Sequence, residues 1–205
     1  DVSGLTVTSE QASGVALITT VPSGENSIIV DSGANGLLRP EDITNAEKLF
    51  EDAGIVLMQL ETPIDTLTEA AAMAKKHGAY VVLNPAPAPK EPLPVELLKN
   101  VDLLIPNETE AAYISGVNIA GDEDLPAAMN EIQKLGVKDV IITVGSRGVC
   151  ARIDGEMVTV PAFKVKAIDT TAAGDTFCGA LCVALSNGKP LVEAIRFGCK
   201  ASSIS

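Results

Sequence analysis

The stretch Asp169-Thr-Thr-Ala-Ala-Gly-Asp175, continued by Thr176-Phe177, is the most informative part of the chain. Its small residues at 172–174 let the backbone approach a ligand closely, and a helix is predicted to begin there. The apolar stripe of that helix consists of Phe177, Ala180, Leu181, Ala184 and Leu185. The start of such a helix offers free N–H groups and a positive dipole, which suit a phosphate in transfer. Asp175 would lie beside that phosphate, or it is an ordinary helix cap.

The rest of the chain is predicted to consist of strands near its beginning and, from residue 40, of apolar strands alternating with amphipathic helices. Strands are predicted at Val15–Thr20, Ser27–Asp31, Ile55–Leu60, Tyr80–Leu83, Leu103–Ile105 and Val140–Val144, with a hairpin formed by Val149–Arg152 and Val158–Val160. Helices are predicted at Pro40–Asp52, 108–115, 124–135, 174–186 and 190–205. A further helix is predicted to follow Thr62-Pro63, with Thr62 as its cap and Pro63 as its first residue. This alternation indicates an α/β fold with a mainly parallel sheet covered on both faces. Ligands in such folds bind beyond the carboxyl ends of the strands.

Two further segments follow predicted strands. Thr143-Val-Gly-Ser-Arg-Gly148 can hold nucleotide phosphates through backbone N–H groups, although a plain turn between strands explains the same residues. In Asn107-Glu-Thr-Glu110, Asn107 as N-cap and Glu110 three residues later resemble a capping box. Only the position of this pair at a strand end favours a ligand or magnesium contact.

The end of the strand at 55–60 adds Met58-Gln-Leu-Glu61, and the next strand adds Asn84-Pro-Ala-Pro-Ala88. Glu61 can accept hydrogen bonds from sugar hydroxyls, or it is a surface carboxylate beside a helix. Asn84 can contact a ligand, or it simply starts a Pro-rich turn.

Composition excludes several classes of function. The 205 residues carry 15 Lys+Arg against 27 Asp+Glu, a net charge of −12, which argues against nucleic-acid and acidic-membrane surfaces. No apolar run approaches the roughly 18 residues of a membrane span. The four cysteines form no Cys-x-x-Cys pair, and the single His77 cannot complete a zinc set. We therefore expect an acidic cytoplasmic protein with reduced thiols.

The two ends predict that the sequence is a piece of something longer. Val2–Thr8 alternates like a strand already under way, and the chain stops at Ile204-Ser205 inside an apolar helical pattern.

Taken together, the quoted motifs resemble those of the ribokinase-like (PfkB-type) carbohydrate kinase family, from Val15 to about Ser205. The stretch 169–177 is diagnostic of the family, with Ser32-Gly-Ala-Asn35 as a further match. The forms at 58–61, 84–88 and 172–175 favour the members that phosphorylate ribose. The resemblance implies a three-layer fold with a mainly parallel central sheet flanked by helices, plus a small β lid. Residues 1–35 would form part of the lid and the return to the core, and 36–205 the catalytic core, incomplete at both ends.

The resemblance also implies a reaction and its central residues. ATP would donate its γ-phosphate to the primary hydroxyl of D-ribose, with Asp175 receiving the hydroxyl proton. Gly174, with Ala172 and Ala173, would form the anion hole at the helix start. Glu61 would hold a ribose hydroxyl.

Nucleotide and cation sites follow from the same resemblance. Nucleotide contacts would come from Asn107, Thr143, Gly145, Ser146, Arg147, Gly148, Gly174 and Cys199. Cys199 stands where the family often carries a His beside the adenine. Asp169 and the Thr171 carbonyl would bind potassium, and Glu110 would help to position Mg²⁺ through water.

Departures from the family pattern keep alternatives open. The N-terminal Gly-Gly-Lys-Gly-type motif and early Asp that grip the sugar are absent, as is the stretch after the last helix. The alternatives are another sugar or nucleoside kinase of the family, or a catalytically silent sugar- or nucleotide-binding protein. A homodimer through the β lid, with Val15–Asp31 as its material, is expected from the family.

Overall fold

A computed structural model of the chain describes residues 2–20, 26–165 and 170–205. Its first elements are the antiparallel strands β1 (Ser13–Thr20) and β2 (Asn26–Gly33), paired in register from Ser13–Gly33 to Thr20–Asn26. Pro22-Ser-Gly24 between these strands is a turn signal in the sequence and lies outside the described residues. A 3₁₀ turn at Ala34–Leu37 leads from this hairpin into the rest of the molecule.

The main sheet has six strands in the order β3-β4-β5-β6-β7-β8. They are β3 (Ile55–Met58), β4 (Tyr80–Leu83), β5 (Leu103–Leu104), β6 (Asp139–Thr143), β7 (Val149–Ile153) and β8 (Glu156–Val160). The first four are parallel, and β7 and β8 are added in antiparallel pairing. The hairpin between the last two turns at Asp154-Gly155, where both residues have positive φ. The predicted mainly parallel α/β sheet is confirmed.

Eight α-helices surround or precede these strands within the described residues. They are α1 (Pro40–Asn45), α2 (Glu47–Glu51), α3 (Ile64–Lys76), α4 (Val95–Leu98), α5 (Glu108–Ser115), α6 (Leu125–Lys134), α7 (Ala173–Ser186) and α8 (Leu191–Ser202). None of these described helices is long and apolar enough to cross a membrane.

The core lies in two apolar layers, one on each face of the sheet. Alternation along β4 sends Val81 and Leu83 to the face packed by α3, α4 and α6, and Val82 to the face packed by α7 and α8. Helices α7 and α8 approach closely because position 198 is glycine: a Cβ there would lie 2.8 Å from Phe177 Cδ2. The molecule is thus a three-layer helix–sheet–helix unit beside a separate two-stranded sheet.

Three local expectations are wrong. The predicted helix Pro40–Asp52 is divided into α1 and α2 at Ala46. Just before this point the Thr44 hydroxyl donates to the Pro40 carbonyl, a contact that bends helices. Thr62 does not cap α3, which begins at Ile64 with Pro63 in the cap position. The expected strand Val2–Thr8 is irregular and exposed up to Val7, because its alternation meets no partner strand among the described residues.

Candidate active site

Because β3, β4, β5 and β6 are parallel, their carboxyl ends share one edge of the sheet. The residues that follow these ends are the ones that the sequence singled out. Gln59 follows β3, Asn84 follows β4, and Asn107 comes three residues after β5. Thr143 is the last residue of β6. Helix α7 begins at Ala173 and brings its first turn to the same edge, as its contact with Gln59 shows.

The first turn of α7 is open. Its cap residue Ala172 has left-handed backbone angles, with φ 60°, and makes no side-chain capping bond. The first amide bonded within the helix is that of Thr176, which donates to the Ala172 carbonyl at 2.9 Å. The amides of Gly174 and Asp175 precede it and carry the positive end of the helix dipole. A Cβ at Gly174 would meet nothing within 4 Å, so space is left beside these amides.

Asp175 is the third residue of α7, and its side chain is exposed. Its Oδ1 accepts a hydrogen bond from Gln59 Nε2 at 2.7 Å. A cavity of about 290 Å³ adjoins the pair and is lined by Leu57, Met58, Gln59, Asn84, Asp175 and Cys178. Asn84 is fixed in its wall by donating through Nδ2 to the Ile105 carbonyl at 2.7 Å.

Cys178 lies one turn further along α7 and is buried. Burial is the main reason that the pKa of its thiol rises to about 12, and the carboxylates of Asp175 and Glu110 raise it further. The thiol is therefore a neutral part of the cavity wall rather than a nucleophile. All four cysteines are free thiols.

At α5, both interpretations of the sequence can be compared with the contacts. Asn107 Oδ1 accepts from the Glu110 amide, while Glu110 Oε2 accepts from the Asn107 amide and Oε1 from Asn107 Nδ2, at 2.8–3.0 Å. The capping box is therefore present. Burial leaves Glu110 5% exposed and raises the pKa of its carboxyl.

The segment Thr143–Gly148 continues directly from β6. Asn107 and Thr143 form a parallel β-bridge, and Gly145–Arg147 makes a 3₁₀ turn. Gly148 has φ 105°, and a Cβ there would lie 2.5 Å from the Ala162 amide nitrogen, so only glycine fits. Arg147 binds Glu108, the first residue of α5, and Asp122 at 3.1 Å, which ties the turn to its neighbours.

Other predicted site residues are not part of this cavity wall or lie outside the described residues. Glu61 is exposed, three residues beyond β3, and is not part of the cavity wall. Cys199 packs in the apolar layer under α8 with 5% exposure. Asp169 lies outside the described residues. Within the part of the chain that is described, no three His, Cys, Asp or Glu side chains are grouped to hold a metal ion.

Gln59 is the site residue that the sequence did not assign. It stands inside the quoted stretch 58–61, in which only Glu61 received a role. The available signal was its place directly after an apolar strand, at the edge where ligands bind.

Comparison with known proteins identifies the family of the chain. The sequence pattern of "pfkB family carbohydrate kinase" matches residues 1–205. The chain belongs to the pfkB family of carbohydrate kinases. A ribokinase of Staphylococcus aureus is 42% identical over 206 residues, which covers 100% of this chain and 67% of that protein. A ribokinase of Haemophilus influenzae is 42% identical over 205 residues, covering 100% of this chain and 66% of that protein.

A solved structure extends the likeness to three dimensions. The Arabidopsis thaliana ribokinase complexed with ribose and ATP aligns with a TM-score of 0.86 at 35% identity, covering 95% of this chain and 63% of that one. The chain spans about two thirds of the length of these relatives. The expected family and its ribokinase-like α/β fold are confirmed, and the protein is a carbohydrate kinase.

Proposed function

We propose that the protein is an ATP-dependent ribokinase that transfers the γ-phosphate of ATP to the primary hydroxyl of D-ribose. The observation that carries this proposal is Asp175, a carboxylate lying in the first turn of α7 beside a cavity and beside amides that precede the helix's own hydrogen bonds. The similarity to named ribokinases supports ribose as the acceptor.

The chemistry needs a proton acceptor and a cradle for negative charge. The primary hydroxyl oxygen forms a bond to the γ-phosphorus, the bond from that phosphorus to the β,γ-bridging oxygen breaks, and ADP leaves with the electron pair. Asp175 takes the hydroxyl proton as the attacking oxygen becomes acidic. The first-turn amides, with Ala172, Ala173 and Gly174 shaping the turn, stabilise charge on the transferred group. A protein of charge −12 needs such a local positive field to hold phosphate.

The nucleotide would lie along the same edge, over β6. Neighbouring strands are about 4.8 Å apart, so two to three strand spacings, about 10–14 Å, separate the end of β6 from the ends of β4 and β3 beside Asp175. This separation lets one ATP reach from the turn Gly145–Gly148 to the first turn of α7. We assign the nucleotide contacts to Asn107, to Thr143 with this turn, and to the edge of α8 near Cys199.

The two proposed cations, Mg²⁺ and potassium, are supported by different amounts of structural detail. Each Glu110 oxygen already accepts one hydrogen bond and retains a second lone-pair direction, so contact with Mg²⁺ through water fits better than direct ligation. When bound, Mg²⁺ would neutralise phosphate charge. The potassium proposal depends on the sequence Asp169–Thr171 alone. Replacing sodium by potassium should raise turnover, and an equal rate in both salts would argue against it.

The hairpin of β1 and β2 supports the proposed homodimer. Leu17 and Ile29 on one face, and Ile18 and Ile28 on the other, are all between 47% and 70% exposed. A two-stranded sheet with apolar side chains on both faces is marginally stable unless something covers it. We propose that a second copy covers it, which sedimentation of the protein would test. With free thiols and ATP as substrate, the proposed compartment is the cytoplasm.

The deciding experiment measures ADP release by the protein expressed from its complete reading frame. Ribose, deoxyribose, fructose and a nucleoside serve as acceptors at saturating ATP. Ribose should give the highest kcat/KM, with phosphate on the primary carbon of the product. If another acceptor gives the highest kcat/KM, the protein is the kinase of that acceptor and not a ribokinase. No turnover with any acceptor, despite nucleotide binding, would indicate a silent binding protein.

A further inference from the structure

Gln59 and Asp175 are 116 residues apart in sequence and are joined at the candidate site. Gln59 directly follows the last residue of β3, and its Nε2 donates to Asp175 Oδ1 at 2.7 Å. Among the described residues, no other side-chain hydrogen bond joins the main sheet to α7. The contact therefore fixes the carboxylate relative to the sheet edge, and both residues line the same cavity.

The local geometry of α7 alone does not explain this orientation. A carboxylate at the third position of a helix commonly turns back to the cap residue, as Glu110 does at α5. Asp175 makes no such capping box with Ala172. Its Oδ1 accepts instead from a residue of another element, which makes Oδ1 the weaker and Oδ2 the stronger proton acceptor of the carboxylate.

We propose that Gln59 is a positioning residue that orients Asp175 for proton transfer. This proposal rests on the proposed role of Asp175 as proton acceptor. An amide is suited to the task because it donates a hydrogen bond without carrying charge. A cation in its place would form an ion pair with the carboxylate, and a second carboxylate would repel it. With Oδ1 held, the attacking hydroxyl meets one defined oxygen, the kind of alignment that carries much of catalysis.

The test compares Gln59→Met, which keeps the chain length and removes the donor, with the wild type in the ribose and ATP assay. We expect kcat to fall about 10-fold, because orientation is lost while the base remains. KM for both substrates should stay within about twofold, since the lost contact acts in the transition state. Gln133→Met is the matched control: Gln133 Nε2 also donates at 2.7 Å, but to the Lys138 carbonyl, and kcat should not change.

Gln59→Glu supplies a readout that a purely structural role would not move. It puts a second carboxylate beside Asp175, so its activity relative to wild type should fall as pH rises and recover when the new acid is protonated and can donate. A pH-independent ratio, or an unchanged kcat in Gln59→Met, would overturn the proposal.

Two measurements separate this proposal from the assignment of Asp175. In an Asp175→Asn background, Gln59→Met should cause little further loss, because the two residues act as a unit. If Asp175→Asn keeps turnover, the assignment of the base fails. If Asp175→Asn loses turnover but Gln59→Met keeps it, Asp175 remains the base and only the positioning role of Gln59 is wrong. The side-chain ¹⁵N resonance of Gln59 should shift in Asp175→Ala whatever the substrate; an unmoved resonance would show that the contact is absent.

Discussion

Helices α5 and α7 both begin at the carboxyl edge of the sheet, and both carry a carboxylate as their third residue, yet they begin in opposite ways. At α5, Asn107 and Glu110 bond to each other through three hydrogen bonds. At α7, the cap residue Ala172 offers no side-chain bond, and Asp175 is held by Gln59 from another element. One helix start is closed by its own residues, and the other is open.

The difference indicates that the start of α5 mainly stabilises the fold, whereas the start of α7 is available for chemistry. A capping box satisfies first-turn amides within the chain and so stabilises the fold. An open first turn leaves amides and dipole to a ligand, and here it also places Ala172 in a left-handed conformation that costs about 1 kcal/mol. Substitutions in the first turn of α7 should therefore mainly change turnover, and substitutions in the capping box of α5 should mainly change stability.

The largest effect is expected from Asp175→Asn. The amide cannot take up the hydroxyl proton, so kcat for ribose should fall by about 10²- to 10⁴-fold. Stability should change little, because the new side-chain oxygen can still accept from Gln59. Steady-state ADP release and thermal unfolding measure the two quantities. Glu193→Gln is the control, since Glu193 is the third residue of α8, exposed and paired with Lys189 at 3.6 Å. Equal turnover in both variants would remove Asp175 from the mechanism.

Gly174→Ala should weaken turnover without weakening the fold. A Cβ at 174 or at 179 meets nothing within 4 Å, so alanine fits at both positions of α7 and should raise helix stability by roughly 0.5–1 kcal/mol. At 174 the added methyl group enters the space beside the open amides, and kcat/KM should fall on the order of 10-fold. Gly179→Ala should gain the same stability at full activity. A similar activity in both variants would mean that the open turn is not used by the substrates.

The comparison also shows what sequence could and could not predict. The closed start of α5 was readable because a capping box is local: Asn107 and Glu110 are three residues apart. The small residues and Asp175 of α7 were equally local. Gln59 was not assigned, because its partner is 116 residues away and the pairing depends on how β3 and α7 pack. The predicted strand at Val2–Thr8 is wrong for a related reason: alternation of apolar and polar residues specifies which face of a strand is buried, but it does not specify a partner strand.

At α5, Asn107→Ala should cost stability. It removes the acceptor for the Glu110 amide and the donor to Oε1, which lowers the free energy of unfolding by about 1–2 kcal/mol. Asn107→Ser keeps an acceptor and should lose less. Urea unfolding measures both. The kcat of either variant should remain near wild type, with any loss confined to KM for ATP. A fall in kcat as large as that of Gly174→Ala would erase the distinction between the two helix starts.

The smallest effect concerns the pH dependence of stability at Glu110. Burial raises the pKa of this carboxyl above 4.5, so the folded protein binds its proton more tightly than the unfolded chain does. That contribution to stability is fully present below pH 4.5 and is lost as pH rises through the higher folded value. In Glu110→Gln the group no longer titrates, while every other group titrates in both proteins. The stability of wild type minus that of Glu110→Gln should therefore decline from about pH 4.5 upward and then level off. Urea titrations in dilute protein, because the pI is about 4.4, would measure it. If this stability difference stays constant or rises with pH, the carboxyl of Glu110 is not held in a buried capping box. The proposed contrast between a structural carboxylate at α5 and a catalytic one at α7 would then be wrong for α5.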